Sequence, residues 1–199
     1  MKCLRIAVLA VGLAALAGCV TPVGPVEVTR FHAEDVSPLG KGTIAVEPAP
    51  GSDGTTLEWQ TYRAAVMRQL VRVGYTEAGT GAGASDQVAQ LRVVSSTFQP
   101  DRNGSPVSVG VGGSTGSYGS GLGVGIGFDL TPKPKAQVST ELSVSIRERA
   151  SGKVLWEGRA SFTASTASPL SGTGLAAPKM AEALFQGFPG NSGETIEVK

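Results

Sequence analysis

The alternation of apolar and polar residues divides the chain into strands and helices before any composition is considered. Val26 to Phe31 predicts a first strand, with Val26 and Val28 on one face, and Thr43 to Glu47 a second, in which Ile44 and Val46 alternate with polar neighbours. Pro48-Ala49-Pro50-Gly51 closes the second strand, and a helix follows. Trp59, Tyr62, Val66, Leu70 and Val73 recur at helical spacing, while Arg63, Arg68 and Arg72 lie off that stripe. Thr55 and Glu58 are spaced as a capping box, which predicts the start of the helix, and Gly74 is placed to be its C′ glycine. After a small-residue loop over 77–85, Gln87 to Phe98 reads as a strand carrying Leu91, Val93, Val94 and Phe98.

The clearest strand pair comes later. Val138, Leu142, Val144 and Ile146 alternate with Ser139, Glu141, Ser143, Ser145 and Arg147. A turn over 150–153 follows, and Val154, Trp156, Ala160 and Phe162 return on the same period. One face is apolar and the other wet, as in an antiparallel sheet covered on one side. A loop over 165–174 leads to a second amphipathic helix over 175–187, with Met180, Ala183, Leu184 and Phe188 on its apolar side. Pro178 fits only a first helical turn, so the ordered helix is expected from about Ala177. A closing strand is expected over 194–198. The predicted fold is α/β in the α+β sense: a two-layer sandwich of mostly antiparallel sheet, two helices on one face, and a glycine-rich hairpin or loop insertion. The expected core is Trp59, Tyr62, Val66, Leu70, Leu142, Val144, Ile146, Trp156, Phe162 and Leu184.

The insertion occupies 104–130 and holds most of the chain's excess glycine, of which there are 28. Val107, Val109 and Val111 alternate with glycine, as do Leu122, Val124, Ile126, Phe128 and Leu130, and residues 113–120 are expected to form a flexible tip. A strand whose second face is bare glycine lets another backbone or a flat apolar surface approach closely. Residues 106–130 are therefore the expected contact surface, toward another envelope protein or a second copy; a mobile loop is the alternative.

The N-terminus changes the picture most. Lys2 and Arg5 precede an apolar run from Ile6 to Ala17, the layout of a secretory signal. The run is too short for a membrane span, which needs roughly 18 apolar residues. Leu16-Ala17-Gly18-Cys19 resembles the lipobox of bacterial lipoproteins. That resemblance implies cleavage after residue 18, a diacylglycerol and an acyl chain on Cys19, and stable anchoring, since two or more chains hold where one is marginal. Val20 stands where an aspartate marks inner-membrane retention, so the resemblance implies the outer membrane. The periplasmic side is expected, although the residues fit either orientation. The organisation is then a signal peptide over 1–18, a tether over 19–25, and a single domain over 26–199. The tether spans at most roughly 20 Å beyond the lipidated cysteine.

Charge and cysteine content exclude several functions. Loss of Lys2 and Arg5 takes 17 basic residues to 15 against 16 acidic, leaving no basic field for nucleic acid. Cys3 departs with the signal and Cys19 carries lipid, so no disulfide, cysteine nucleophile or cysteine metal site is expected. Lys133 and Lys135 form only a small solvated spot. Gly112-Gly113-Ser114-Thr115-Gly116 has the spacing of a hydrolase elbow, but it lies in a glycine run with no helix after it. The one histidine, His32, follows the first strand. No dinucleotide, phosphate-loop or metal-ligand spacing is present. The expectation is no enzyme, no catalytic residues, no cofactor and no metal. What remains is a non-catalytic envelope interaction or structural protein, with a small-ligand carrier or cryptic hydrolase as the alternative.

The hairpin Glu141-Leu-Ser-Val-Ser-Ile … Ser151-Gly-Lys-Val-Leu-Trp-Glu-Gly, followed by a helix ending Leu184-Phe-Gln-Gly-Phe-Pro, resembles the bacterial lipoproteins catalogued as domain of unknown function 4136. Val73-Gly74-Tyr75 and a glycine-rich segment ahead of the hairpin fit the same pattern, and the resemblance spans most of 26–199. It implies an envelope lipoprotein without an assigned activity.

Overall fold

The computed structural model describes residues 24–79, 85–100, 107–116, 119–128 and 135–199, with 107–116 and 119–128 described by their backbone. The signal peptide, Cys19, most of the tether, Lys133 and Leu130 lie outside the described residues.

Among the described residues, nine strands and two α-helices form in the order expected, with one short addition. They are β1 (Val26–His32), β2 (Thr43–Pro48), α1 (Leu57–Arg72), β3 (Thr76–Glu77), β4 (Gln87–Phe98), β5 (Val107–Gly116), β6 (Gly119–Phe128), β7 (Gln137–Glu148), β8 (Val154–Ser165), α2 (Thr173–Phe185) and β9 (Thr195–Val198). A single 3₁₀ turn, Pro169–Ser171, precedes α2. Seven strands make a mixed sheet in the order β3-β2-β4-β7-β8-β1-β9, and β5 and β6 pair as a separate ribbon. The class is α+β. Strand β2 runs parallel to β3 and β4 because α1 carries the chain back between them. The other ladders of the sheet are antiparallel.

The two ends of α1 follow different chemistry from the simple capping box. The N-cap is Thr56, not Thr55: its hydroxyl accepts from Trp59 N–H at 3.2 Å. Thr55 is committed to Asp53, whose carboxylate accepts from its N–H at 2.8 Å and its hydroxyl at 2.6 Å. Glu58 accepts from Ser95 rather than reaching back to the cap. The C-terminus is as expected. Gly74 sits at φ 114°, its N–H donates to Val71 C=O, and Tyr75 N–H donates to Leu70 C=O, the paired bonds of a Schellman ending. A side chain at Gly74 would also meet the Gly40 carbonyl oxygen at 2.5 Å.

Helix α2 starts earlier than proline chemistry suggested, at Thr173, with Pro178 inside it. The turn ahead of the proline is held without the missing N–H, because Leu175 and Ala176 both donate to Gly172 C=O. The helix also ends earlier, at Phe185, and Gly187 turns the chain at φ 69°. Strand β3 was not expected and meets the predicted 77–85 loop only at Glu77; two residues are too few for alternation to show.

The inward positions of the sheet and the apolar sides of both helices form one core. All ten expected core residues are buried. Trp156 is the centre of one end: its ring stacks on Phe185 at 5.4 Å, lies 5.3 Å from Phe188, and its indole N–H donates to Pro189 C=O at 2.9 Å. Gly158 makes room for that ring, since a Cβ there would come within 2.2 Å of Trp156 and 2.8 Å of Leu184. Tyr62 of α1 reaches Met180 of α2, its hydroxyl 3.8 Å from the sulfur. Trp59 donates its indole N–H to Leu91 C=O.

In the β5–β6 ribbon, pairing runs from Val107↔Phe128 to Gly116↔Gly119, so the strands extend through most of the expected tip. The register sets Val109 opposite Ile126, Val111 opposite Val124, Gly110 opposite Gly125 and Gly112 opposite Gly123.

Candidate functional site

The alternation that buries one side of β4, β7, β8 and β1 presents their other side outward. Successive residues of a strand face opposite ways, and neighbouring strands lie about 4.8 Å apart, so the register decides which outward residues become neighbours. One row across the sheet is Gln90, Ser145, Glu157 and Phe31; the next is Arg92, Ser143, Arg159 and Thr29. These two rows, with Arg147 and the Ala49-Pro50 turn after β2, line a shallow cleft of about 420 Å³.

The polar groups of this face are partly tied to each other. Arg92 donates to Pro50 C=O at 2.7 Å, and Ser145 donates to Glu157 at 3.2 Å. Arg159 lies 3.4 Å from the Glu141 carboxylate, which also accepts from Ser143. Arg147 stands apart: its Nε is buried and has no hydrogen-bond partner among the described residues. Opposite it across the ladder is Val88, buried although it lies on the outward side. Phe31 on β1 is 54% exposed, and Val94 and Phe98 at the far end of β4 are exposed as well.

Elsewhere the described residues hold little that resembles chemistry. No group of three His, Cys, Asp or Glu among them is arranged to hold a metal ion. His32 ends β1 with its Nδ1 2.8 Å from Ala33 C=O, and its backbone N–H donates to Ser192. Ser114 pairs with Gly121 within β5, a strand-to-strand setting rather than the strand-to-helix turn of a hydrolase elbow. Arg30 is the buried cation: one guanidinium nitrogen donates to Ala183 C=O at 3.0 Å and its Nε has no partner among the described residues. Burial lowers its pKa, and Glu194 opposes that shift. Asp86 is held below the usual carboxylate range by the N–H and hydroxyl of Thr43. No helix of the described residues is long and apolar enough to cross a membrane.

The outward face was read from the sequence only as wet. The signal was present in the parity of the strands: Arg92, Arg147 and Arg159 each fall on polar positions. Their approach depends on pairing registers that no single strand reveals.

Residues 42–190 match the family described as a domain of unknown function, DUF4136. The chain belongs to that family. The match runs from β2 through α2 to Gly190 and leaves out β1 and β9, which pair with each other and complete the sheet beside β8. An uncharacterized protein of Zymomonas mobilis subsp. mobilis is 32% identical over 216 aligned residues, covering 88% of this chain and 80% of that one. Among solved structures, a PDZ domain protein from Parabacteroides distasonis aligns at a TM-score of 0.49 and 14% identity. That alignment covers 88% of this chain, which spans 39% of the other. A PelC dodecamer from Paraburkholderia phytofirmans aligns at 0.39 and 11% identity over 81% of this chain and 97% of that one. The residues that suggested DUF4136 fall in the β7–β8 hairpin and the end of α2, where Trp156, Phe185 and Phe188 meet.

Proposed function

We propose that this DUF4136 protein is a lipoprotein held by Cys19 to the periplasmic side of the outer membrane, acting without catalysis as a binding module of the envelope. Its architecture in this reading is a two-layer sandwich with a glycine-rich insertion. The helices form one layer, and the sheet turns its other side toward partners. The observation that carries the reading is the outward cleft on β4, β7, β8 and β1, where side chains of opposite charge, hydroxyls and an exposed aromatic stand on the most extensively paired strands of the fold. Such a surface is already shaped before a partner arrives, so little ordering opposes binding.

The short tether supports the same reading. β1 begins at Val26, seven positions after Cys19, so its first residue stays within roughly 25 Å of the lipidated cysteine. The 106–130 segment is a second contact surface in this proposal, supported by a β5–β6 register that sets glycine opposite glycine at two consecutive positions of one face.

Two measurements test it. Intact mass of the purified protein is expected to exceed that of the chain from 19 onward by a diacylglycerol and an acyl group, and Cys19→Ala is expected to lose both; an unlipidated wild-type mass overturns the anchor. A photocrosslinking amino acid at Ser143, on the cleft, is expected to capture an envelope component in intact cells, whereas one at exposed Ala64 on α1 does not. Equal capture at both positions, or none at Ser143, overturns the outward face as the working surface.

A further inference from the structure

We propose that the outward cleft binds an acidic saccharide, a chain of sugar rings bearing carboxylate or phosphate groups. This inference rests on the outward-face reading and names its ligand class. Arg92, Arg147 and Arg159 line the cleft against one carboxylate, Glu157, so the surface carries a surplus of positive charge. A guanidinium presents a planar fork of donors that matches a carboxylate or phosphate, and such charge-assisted bonds are about twice as strong as neutral ones. Arg92 uses one nitrogen on Pro50 and Arg159 is shared with Glu141, while Arg147 keeps a buried Nε without an acceptor. Arg147 as a whole is half-buried and lines the cleft, so an anion bound there lies within reach of its guanidinium.

The uncharged part of the lining selects sugar over peptide. The central strands are paired on both sides, so their backbone groups are taken up in the ladders and cannot add another strand. Only side chains face the ligand. The hydroxyls of Ser143 and Ser145, with Glu157, line the same cleft; their protons go to Glu141 and Glu157, and their oxygens are left to accept from ring hydroxyls. Phe31, at the β1 end of the row, gives the exposed aromatic surface on which the apolar side of a pyranose packs. The row from Arg92 to Arg159 crosses two strand spacings, about 10 Å, enough for two linked sugar units.

The test uses the full-length lipid-bearing chain in detergent micelles, titrated with oligogalacturonate, phosphorylated dextran, neutral dextran and polyglutamate. Binding of either acidic sugar, weakened between 50 and 300 mM salt, is expected, and the stronger of the two identifies the anionic group. Neutral dextran is expected not to bind. Arg147→Gln and Arg159→Gln are each expected to weaken binding about tenfold, and Phe31→Ala several-fold, without moving the thermal midpoint. Should Arg147→Gln fail to fold, Arg159→Gln, whose side chain is 64% exposed, carries the test. The proposal is overturned if neither acidic sugar binds, if polyglutamate binds as tightly, or if folded variants bind like the parent. Loss of all sugar binding with retained crosslinking at Ser143 rejects the saccharide and keeps the outward face; loss of both rejects the two together.

Discussion

The two sides of the central strands share one backbone and one register, yet they answer to different physics. Inward, Leu142, Val144, Ile146, Trp156 and Phe162 are buried under α1 and α2, and Gly158 exists there to clear a tryptophan ring. Outward, residues one position away are serines, arginines and glutamates that bond to each other loosely or not at all. The inward side holds the fold, because burying an apolar side chain contributes a few kcal/mol while an exposed ion pair contributes about 0–1 kcal/mol. The outward side is therefore free to serve binding, and substitutions on the two sides are expected to separate stability from recognition.

The sharpest break of that contrast is Trp156→Ala, which removes the stack on Phe185 and the bond to Pro189; a loss of about 4 kcal/mol in denaturant titration is expected. Gly158→Ala tests the same contact from below. A methyl group 2.2 Å from the tryptophan ring forces it aside, with an expected cost of about 3 kcal/mol. An unchanged midpoint for either would mean that the inward side does not carry the fold.

Alkali probes the core differently. Burial first, and Glu58 second, raise the Tyr62 phenol to about 12, against 10.0 in the unfolded chain. The folded state then holds its proton while the unfolded state releases one, so stability is full below pH 10 and falls as pH rises toward 12, by roughly 2–3 kcal/mol. Tyr62→Phe is expected to flatten that limb, and to cost about 1 kcal/mol at neutral pH, since the hydroxyl's contacts are a bond to Thr140 and a 3.8 Å approach to the Met180 sulfur. Tyr75, also raised by burial, keeps an alkaline slope in that variant. The smallest effect belongs to the outward side. Arg159→Gln is expected to shift stability by less than about 0.5 kcal/mol, and a larger loss would mean that this face holds the fold together after all.

Local signals made the inward side legible. Helical spacing from Trp59 to Leu70 and strict alternation from Leu142 to Phe162 named the core residues, since each pattern is complete within one element. The same locality explains the misplacements. Thr55 and Thr56 are both good caps, and only the nearby Asp53 decides between them. Pro178 is unfavourable inside a helix, yet α2 runs through it, with its apolar side buried against the sheet and α1.

What the sequence by itself determined was every described strand and α-helix except the two-residue β3, the class of fold, the buried side of β1, β2, β7, β8 and both helices, and the family. These rest on periodicity and on short contiguous patterns, which operate within a few residues. Only the tertiary structure decided the strand order, the parallel β2–β4 pair and the meeting of Arg92, Arg147 and Arg159 around one cleft. Arg92 lies 55 positions before Arg147, and Arg147 lies 12 before Arg159 on the neighbouring strand. Ladder registers bring them together, and a register is a property of two strands at once, so neither strand's own residues contain it.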